Sequence, residues 1–288
     1  MRTRTIALVV VLAFLAGYWL HGGLNPRYPP PPPIEIPRVE ATIRSVGDVR
    51  EMRQQALDVI FGGALPDDVP VPRQTEQGLE LVPGRAWWFT PDVPNGRLAI
   101  WHVGHQEDVF QQGTEPITAL LASGYHVIGL NMPPEPHAAI PTLRPFLEPV
   151  ALALNYAQTQ GFDTAMMAGF SGGGWTTTVY AALDPRITRS VPIAGSLPRG
   201  LPVRYRDAEQ DLPGLDLDYI DLYVMATSDG RTQVQVLNSH DPCCFMGIYA
   251  PLYSDHASQR AAELGGTWRV IVVDERAHRV PAGLLALL

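Results

Sequence analysis

From about residue 38 to the end of the chain, some 250 positions, short apolar runs alternate with helix-patterned segments, and no other feature restricts the possible folds as much. Strand-type runs occupy residues 98–103 (LAIWHV), 125–131, 164–169, 190–194, 233–237 and 268–273. Helical spacing occupies residues 115–123, 146–159, the stretch after 171 through 182, and 256–264. Apolar runs of this length are what a strand buried on both faces requires, and parallel neighbours need a crossover helix between them. The pattern therefore predicts right-handed βαβ units and an α/β fold: a mostly parallel central sheet with helices on both faces. Residues 78–89, which include Trp87 and Trp88, predict an antiparallel pair at one edge. Residues 197–230 hold six aspartates and three prolines without sustained periodicity, and read as an insertion over one end of the sheet. Within that insertion, residues 220–226 are a candidate for a further short element. No internal repeat is visible.

The first 37 residues belong to a different regime. Residues 6–20 (IALVVVLAFLAGYWL) are almost unbroken apolar sequence, preceded by Arg2 and Arg4 and followed by His21, Gly22 and Gly23. Such a segment addresses a chain to a membrane and takes no part in a globular core. A convincing small-x-small cleavage site is missing, so residues 1–24 read as a retained signal-anchor, with a cleaved signal peptide as the alternative. The two arginines would stay in the cytoplasm, which puts the rest of the chain on the extracytoplasmic, periplasmic side, or outside the cell if the segment is removed. Residues 25–37, with five consecutive prolines from Pro29 to Pro33, read as a polyproline II spacer. The soluble domain is expected over residues 38–288.

Composition narrows the chemistry. A formal charge of -8 leaves no basic face for phosphate neutralisation, so nucleic acid is not expected as a partner. All 21 cationic side chains are arginine, which excludes Schiff-base chemistry and a P-loop lysine. The two cysteines, Cys243 and Cys244, are adjacent, too few for a disulfide framework or a four-cysteine zinc site. A bond between them and a pair of free buried thiols are both open.

Four loops, each following a strand pattern, collect the reactive residue types. The first is Gly169-Phe170-Ser171-Gly172-Gly173, a G-x-S-x-G match placed where a strand ends and a helix begins. The pattern alone is weak; its context is not, because a serine hydroxyl exposed at a sharp strand-to-helix turn needs small neighbours on both sides. On this motif and the order of its elements, the stretch after the spacer resembles the α/β-hydrolase superfamily, in particular its serine esterases and lipases. The resemblance implies a Ser-acid-His triad in that chain order. Ser171 matches the nucleophile. His278 is the only histidine after the last strand pattern and matches the base. Asp241, in Asn238-Ser239-His240-Asp241-Pro242 after the fifth strand, matches the acid, with Asp229, Asp274 and Glu275 as competitors. His240 reads as a loop neighbour of the acid and not as the base.

The resemblance further implies an oxyanion hole made by the backbone N–H of Gly172 and one donor from the loop 102–108, with His105 or Gln106 as that donor. His102, His105, Glu107 and Asp108 in that loop lack the i, i+4 spacing of helical metal ligands, and neither a metal nor a cofactor is expected. The expected activity is that of a serine hydrolase, most readily a carboxylic-ester hydrolase acting on a small-molecule or lipid-like ester through an acyl-enzyme. An amidase or peptidase would use the same three residues, and a non-catalytic hydrolase-like binding module is the competing class. No oligomeric state is implied.

Overall fold

In the computed structural model the chain runs α1 (Val46–Phe61), β1 (Arg73–Thr75), β2 (Gly78–Val82), β3 (Ala86–Phe89), β4 (Leu98–His102), α2 (Thr114–Ala122), β5 (His126–Leu130), α3 (Arg144–Thr159), β6 (Ala165–Phe170), α4 (Gly172–Leu183), β7 (Ile187–Ile193), α5 (Tyr219–Thr227), β8 (Thr232–Asn238), α6 (Ser254–Glu263) and β9 (Thr267–Val273). Single 3-10 turns lie at His137–Ala139, Ala208–Asp211 and Gly247–Leu252. The structure describes residues 39–284, so the expected signal-anchor and proline spacer lie outside the described residues. Among the described residues no helix is long and apolar enough to cross a membrane.

The strands form a nine-stranded sheet in the order β1-β2-β3-β5-β4-β6-β7-β8-β9. The six strands from β5 to β9 in that order are parallel, while β2 pairs antiparallel with both β1 and β3, and β3 joins β5 antiparallel. Every residue of β4 and of β6 is buried, which is why both read as continuous apolar runs without alternation. Trp101, Val103, Phe170, Ile193 and Val236 from four of these strands and their ends meet in one core cluster. The edge holds one strand more than the sequence announces. β1 is Arg-Gln-Thr, mostly exposed, and carries no apolar signal; its register puts Arg73 opposite Glu80, and the two side chains form an ion pair.

The candidate element over residues 220–226 at the end of the insertion lies within α5, the crossover helix between β7 and β8, and all residues of α5 are buried. A helix packed on every side has no polar face and therefore no 3.6-residue period, so its sequence gives no helical signature. The indole N–H of Trp175 on α4 donates to the Tyr219 hydroxyl of α5 at 2.9 Å, and that hydroxyl donates to the Gln210 carbonyl at 2.6 Å. This chain of bonds ties the remaining insertion to the two most buried helices. α3 tolerates Pro149 in its interior for a specific reason. The missing N–H would have bonded the Pro145 carbonyl, and Arg85 Nη1 donates to that carbonyl instead at 3.0 Å.

Candidate active site

The parallel strands β4, β6, β8 and β9 point their carboxyl ends to the same side, and the four loops singled out in the sequence leave from those ends. In open α/β sheets that rim is where ligands bind. Ser171 follows β6 directly and precedes α4, with φ 54 and ψ -119. A non-glycine residue held there costs about 1–3 kcal/mol of backbone strain, which the packed strand and helix must hold in place. The neighbouring glycines make that packing possible. A Cβ at Gly169 would run into the Gly173 carbonyl, and one at Gly173 into the His102 carbonyl, so β6, α4 and the end of β4 touch backbone to backbone.

His278, after β9, brings Nε2 to 2.9 Å from Ser171 Oγ and Nδ1 to 2.7 Å from Asp241 Oδ2. Asp241 is buried and His278 is partly accessible, its ring set 4.7 Å from that of Phe170. The second oxygen of Asp241 accepts the backbone N–H of Cys243 at 2.8 Å and of Cys244 at 3.4 Å. The carboxylate is thereby fixed from one side by two amides and aimed with its other oxygen at the imidazole. Cys243 and Cys244 are joined by a disulfide. Of the competing carboxylates, Asp229 pairs with Arg53 at 4.0 Å, Asp274 accepts from Ser239 Oγ at 3.4 Å, and Glu275 pairs with Arg279. His278 makes its carboxylate bond to Asp241. His240 Nδ1 lies 3.1 Å from Ser239 Oγ, on the loop of the acid.

Two positioning residues escaped the sequence reading. Asn238, the last residue of β8, donates both amide hydrogens across to the loop of the histidine, to Ala277 O and Arg279 O at 2.9 Å each. It holds the backbone on either side of His278. Glu107 carries no role in the sequence beyond lacking metal-ligand spacing, yet its Oε2 accepts the Gly104 N–H at 2.7 Å and so closes the turn that carries His105 and Gln106. Burial raises the pKa of this carboxyl, against the Gly104 bond and the nearby His278. Neither role leaves a mark in sequence, because each depends on which backbone groups another loop presents.

The turn at Gly104–Glu107 borders the serine: a Cβ on Gly104 would meet Ser171 Cβ at 3.0 Å, and the His105 ring lies over Gly172. The N–H of Gly104 is taken by Glu107, whereas no acceptor among the described residues takes the N–H of Gly172, His105 or Gln106. Gln106 sits at φ 57, a left-handed conformation that turns the peptide plane within this loop. A cleft of about 410 Å³ opens beside the turn, lined in part by Arg85, Gln106, Glu107, Met132 and Glu135. His102 is wholly buried at the end of β4, with Nδ1 at 2.9 Å from the Val103 carbonyl, and burial pushes its pKa down to about 3. It stays neutral and contributes to packing.

The four loop residues His102, His105, Glu107 and Asp108 do not act as one cluster. His102 turns into the core, Glu107 toward Gly104, and Asp108 accepts from Asn131 Nδ2 at 3.0 Å. His105 instead meets Glu209 and His137, both from elsewhere in the chain.

No family model and no curated protein matches the sequence. Solved structures do match the fold. Methylesterase BT1017 superposes with a TM-score of 0.56 at 13% identity over 83% of this chain and 61% of its own. The esterase Pf2001 of Pyrococcus furiosus superposes with a TM-score of 0.50 at 11% identity over 78% of this chain and 93% of its own. At such identities the likeness speaks for architecture alone: this chain has the α/β-hydrolase fold.

Proposed function

We propose that this protein is a serine hydrolase that cleaves carboxylic esters through an acyl-enzyme on Ser171. The observation that carries the reading is the continuous relay from Asp241 through His278 to Ser171, with 2.7 Å and 2.9 Å contacts, at a strained strand-to-helix turn. A serine hydroxyl is a poor nucleophile until a base takes its proton, and the relay supplies one with its orienting carboxylate.

In this mechanism Asp241 holds the Nδ1–H of His278, which leaves the Nε2 lone pair facing Ser171 Oγ. Oγ attacks the acyl carbon as Nε2 takes the proton, and the carbonyl oxygen becomes an oxyanion. Asp241 stabilises the imidazolium. The backbone N–H of Gly172 and that of His105 or Gln106 receive the oxyanion, an interaction that strengthens in the transition state. Nε2 then returns its proton to the departing alcohol, and a water activated by the same nitrogen releases the acid. A cradle of backbone N–H groups serves ester and amide carbonyls alike. The ester assignment is supported by the two matched structures, whose names describe ester cleavage. The substrate in this reading is a small-molecule or lipid-like ester, met outside the cytoplasmic membrane to which residues 1–24 tether the domain.

The purified full-length chain is expected to hydrolyse a short-chain chromogenic ester. Ser171→Ala is expected to remove turnover while leaving the circular dichroism and thermal midpoint unchanged; equal turnover by that variant would overturn the mechanism.

A further inference from the structure

One cluster beside the relay is not used by the hydrolytic steps. His105 Nε2 lies 2.8 Å from Glu209 Oε1, and His137 Nδ1 lies 3.5 Å from Glu209 Oε2. The two imidazole rings stand 4.8 Å apart. His137 and Glu209 are 4% and 2% exposed. The three come from three separate places: the turn after β4, the 3-10 turn His137–Ala139, and the 3-10 turn Ala208–Asp211 of the insertion. One ligand atom from each can be chosen so that all lie within 4.8 Å of one another.

The hydrogen bonding makes this more than a crowd of polar groups. His137 Nε2 is 2.8 Å from the Pro133 carbonyl, an acceptor only, so Nε2 carries a proton and donates it. In the neutral ring Nδ1 then presents a lone pair. That atom and Glu209 Oε2 face each other with no hydrogen-bond partner, both buried. With Nδ1 unprotonated these are two acceptors in contact inside the protein, and they repel until a proton or a metal cation lies between them. More negative charge surrounds the pair: Asp207 Oδ2 is 3.6 Å from His105 Nδ1, and Glu135 Oε1 is 3.6 Å from His137 Nε2.

We propose that His105, His137 and Glu209 bind one divalent cation of the zinc class, with Asp207 as a neighbouring carboxylate. The separation of 3.5 Å between His137 Nδ1 and Glu209 Oε2 compares with about 3.3 Å for the edge of a tetrahedron with metal-ligand bonds of about 2.0 Å. The His105 contact at 2.8 Å is to the other carboxylate oxygen, Oε1, so Glu209 would turn one oxygen to the ion and this contact would open to admit it. Two imidazoles and one carboxylate suit zinc, whereas calcium and magnesium prefer oxygen ligands throughout. The Pro133 carbonyl fixes the His137 tautomer in the way that outer partners of metal-bound histidines do. The consequence lies in the fold. A bound ion would clamp the insertion and the segment before α3 onto the turn that carries His105 and Gln106. It takes no step in ester cleavage, and its test does not depend on the hydrolase reading.

The experiment is equilibrium dialysis of the untagged full-length chain against zinc chloride under non-reducing conditions, with magnesium and calcium chloride in parallel, followed by elemental analysis. The expected result is one zinc per chain, no retained magnesium or calcium, and a loss of zinc affinity of about 100-fold or more in Glu209→Gln and in His137→Gln. The double variant Cys243→Ser, Cys244→Ser is expected to retain zinc, because the cysteines near His278 are not its ligands. Substoichiometric zinc in the wild type, or unchanged binding in both Glu209→Gln and His137→Gln, would overturn the proposal. So would zinc lost with the cysteines. A cobalt(II) titration of the wild type covers the case in which a variant fails to fold. Visible d–d bands of four-coordinate cobalt that zinc displaces are expected, and a spectrum of aqueous cobalt alone would overturn the site.

Discussion

Replacing Asp241 by asparagine tests the relay with little change of shape, and the structure decides how the amide will sit. Oδ1 of Asp241 accepts two backbone N–H groups, from Cys243 at 2.8 Å and Cys244 at 3.4 Å. In Asp241→Asn the amide oxygen must take that place, because an NH2 there would face two donors and leave them unpaired, at about 1–3 kcal/mol for the lost bonds. The NH2 group is then left facing His278 Nδ1 at the 2.7 Å position. An NH2 cannot accept the Nδ1 proton, so the imidazole moves its proton to Nε2 and presents N–H to Ser171 Oγ where a lone pair is needed. The expected loss in kcat is roughly 10³- to 10⁴-fold, about 4 to 5 kcal/mol of transition-state stabilisation. KM and the thermal midpoint should stay near wild type, because neither the acyl site nor the packing has changed. The assay is steady-state hydrolysis of a chromogenic ester at pH 8 beside a thermal melt. A kcat within tenfold of wild type in a folded variant would refute the assignment of Asp241 as the orienting acid.

Asn238→Ala removes the two 2.9 Å bonds that hold the loop around His278; a stability loss of about 2 kcal/mol and a fall in kcat of about 10²-fold with KM little changed are expected, and unchanged values of both would contradict its positioning role. His102 gives the fold an acid sensitivity. Its folded pKa is depressed to about 3, below the unfolded value near 6.5, so the unfolded chain binds the proton first and stability present above pH 6.5 is lost as pH falls toward 3. In urea unfolding, the wild type should therefore lose about 2 kcal/mol relative to His102→Asn between pH 8 and pH 5; parallel pH profiles for the two proteins would count against a neutral buried His102. Intact mass is expected to rise by two hydrogens when the denatured chain is reduced, as the Cys243–Cys244 disulfide opens; an unchanged mass would mean free thiols.

What the sequence announces and what it conceals follow from where each signal is stored. β4 and β6 are buried on both faces, so their residues are apolar throughout and each strand is legible as a run. Ser171 is legible because its turn needs small residues at fixed offsets, and the packing against Gly169 and Gly173 shows the reason. α5 shows in the sequence only as a short element of unassigned type, since a helix with no exposed face has no period to read. β1 is concealed for the opposite reason, an exposed edge segment held by pairing to β2. The contacts of Asn238 with the His278 loop, and the meeting of His105 with His137 and Glu209, join residues far apart in the chain. Spacing carries no information about such meetings; only the topology that stacks the loops at one rim brings them together.

The most direct test of the central claim is covalent labelling of the full-length chain with a fluorophosphonate, followed by peptide mass mapping. A serine activated by His278 and lying beside oxyanion donors should be phosphonylated in a one-to-one ratio. The expected result is a single adduct on Ser171, absent in Ser171→Ala and strongly slowed in Asp241→Asn. An unlabelled wild-type chain, or an adduct on a different residue, would contradict it.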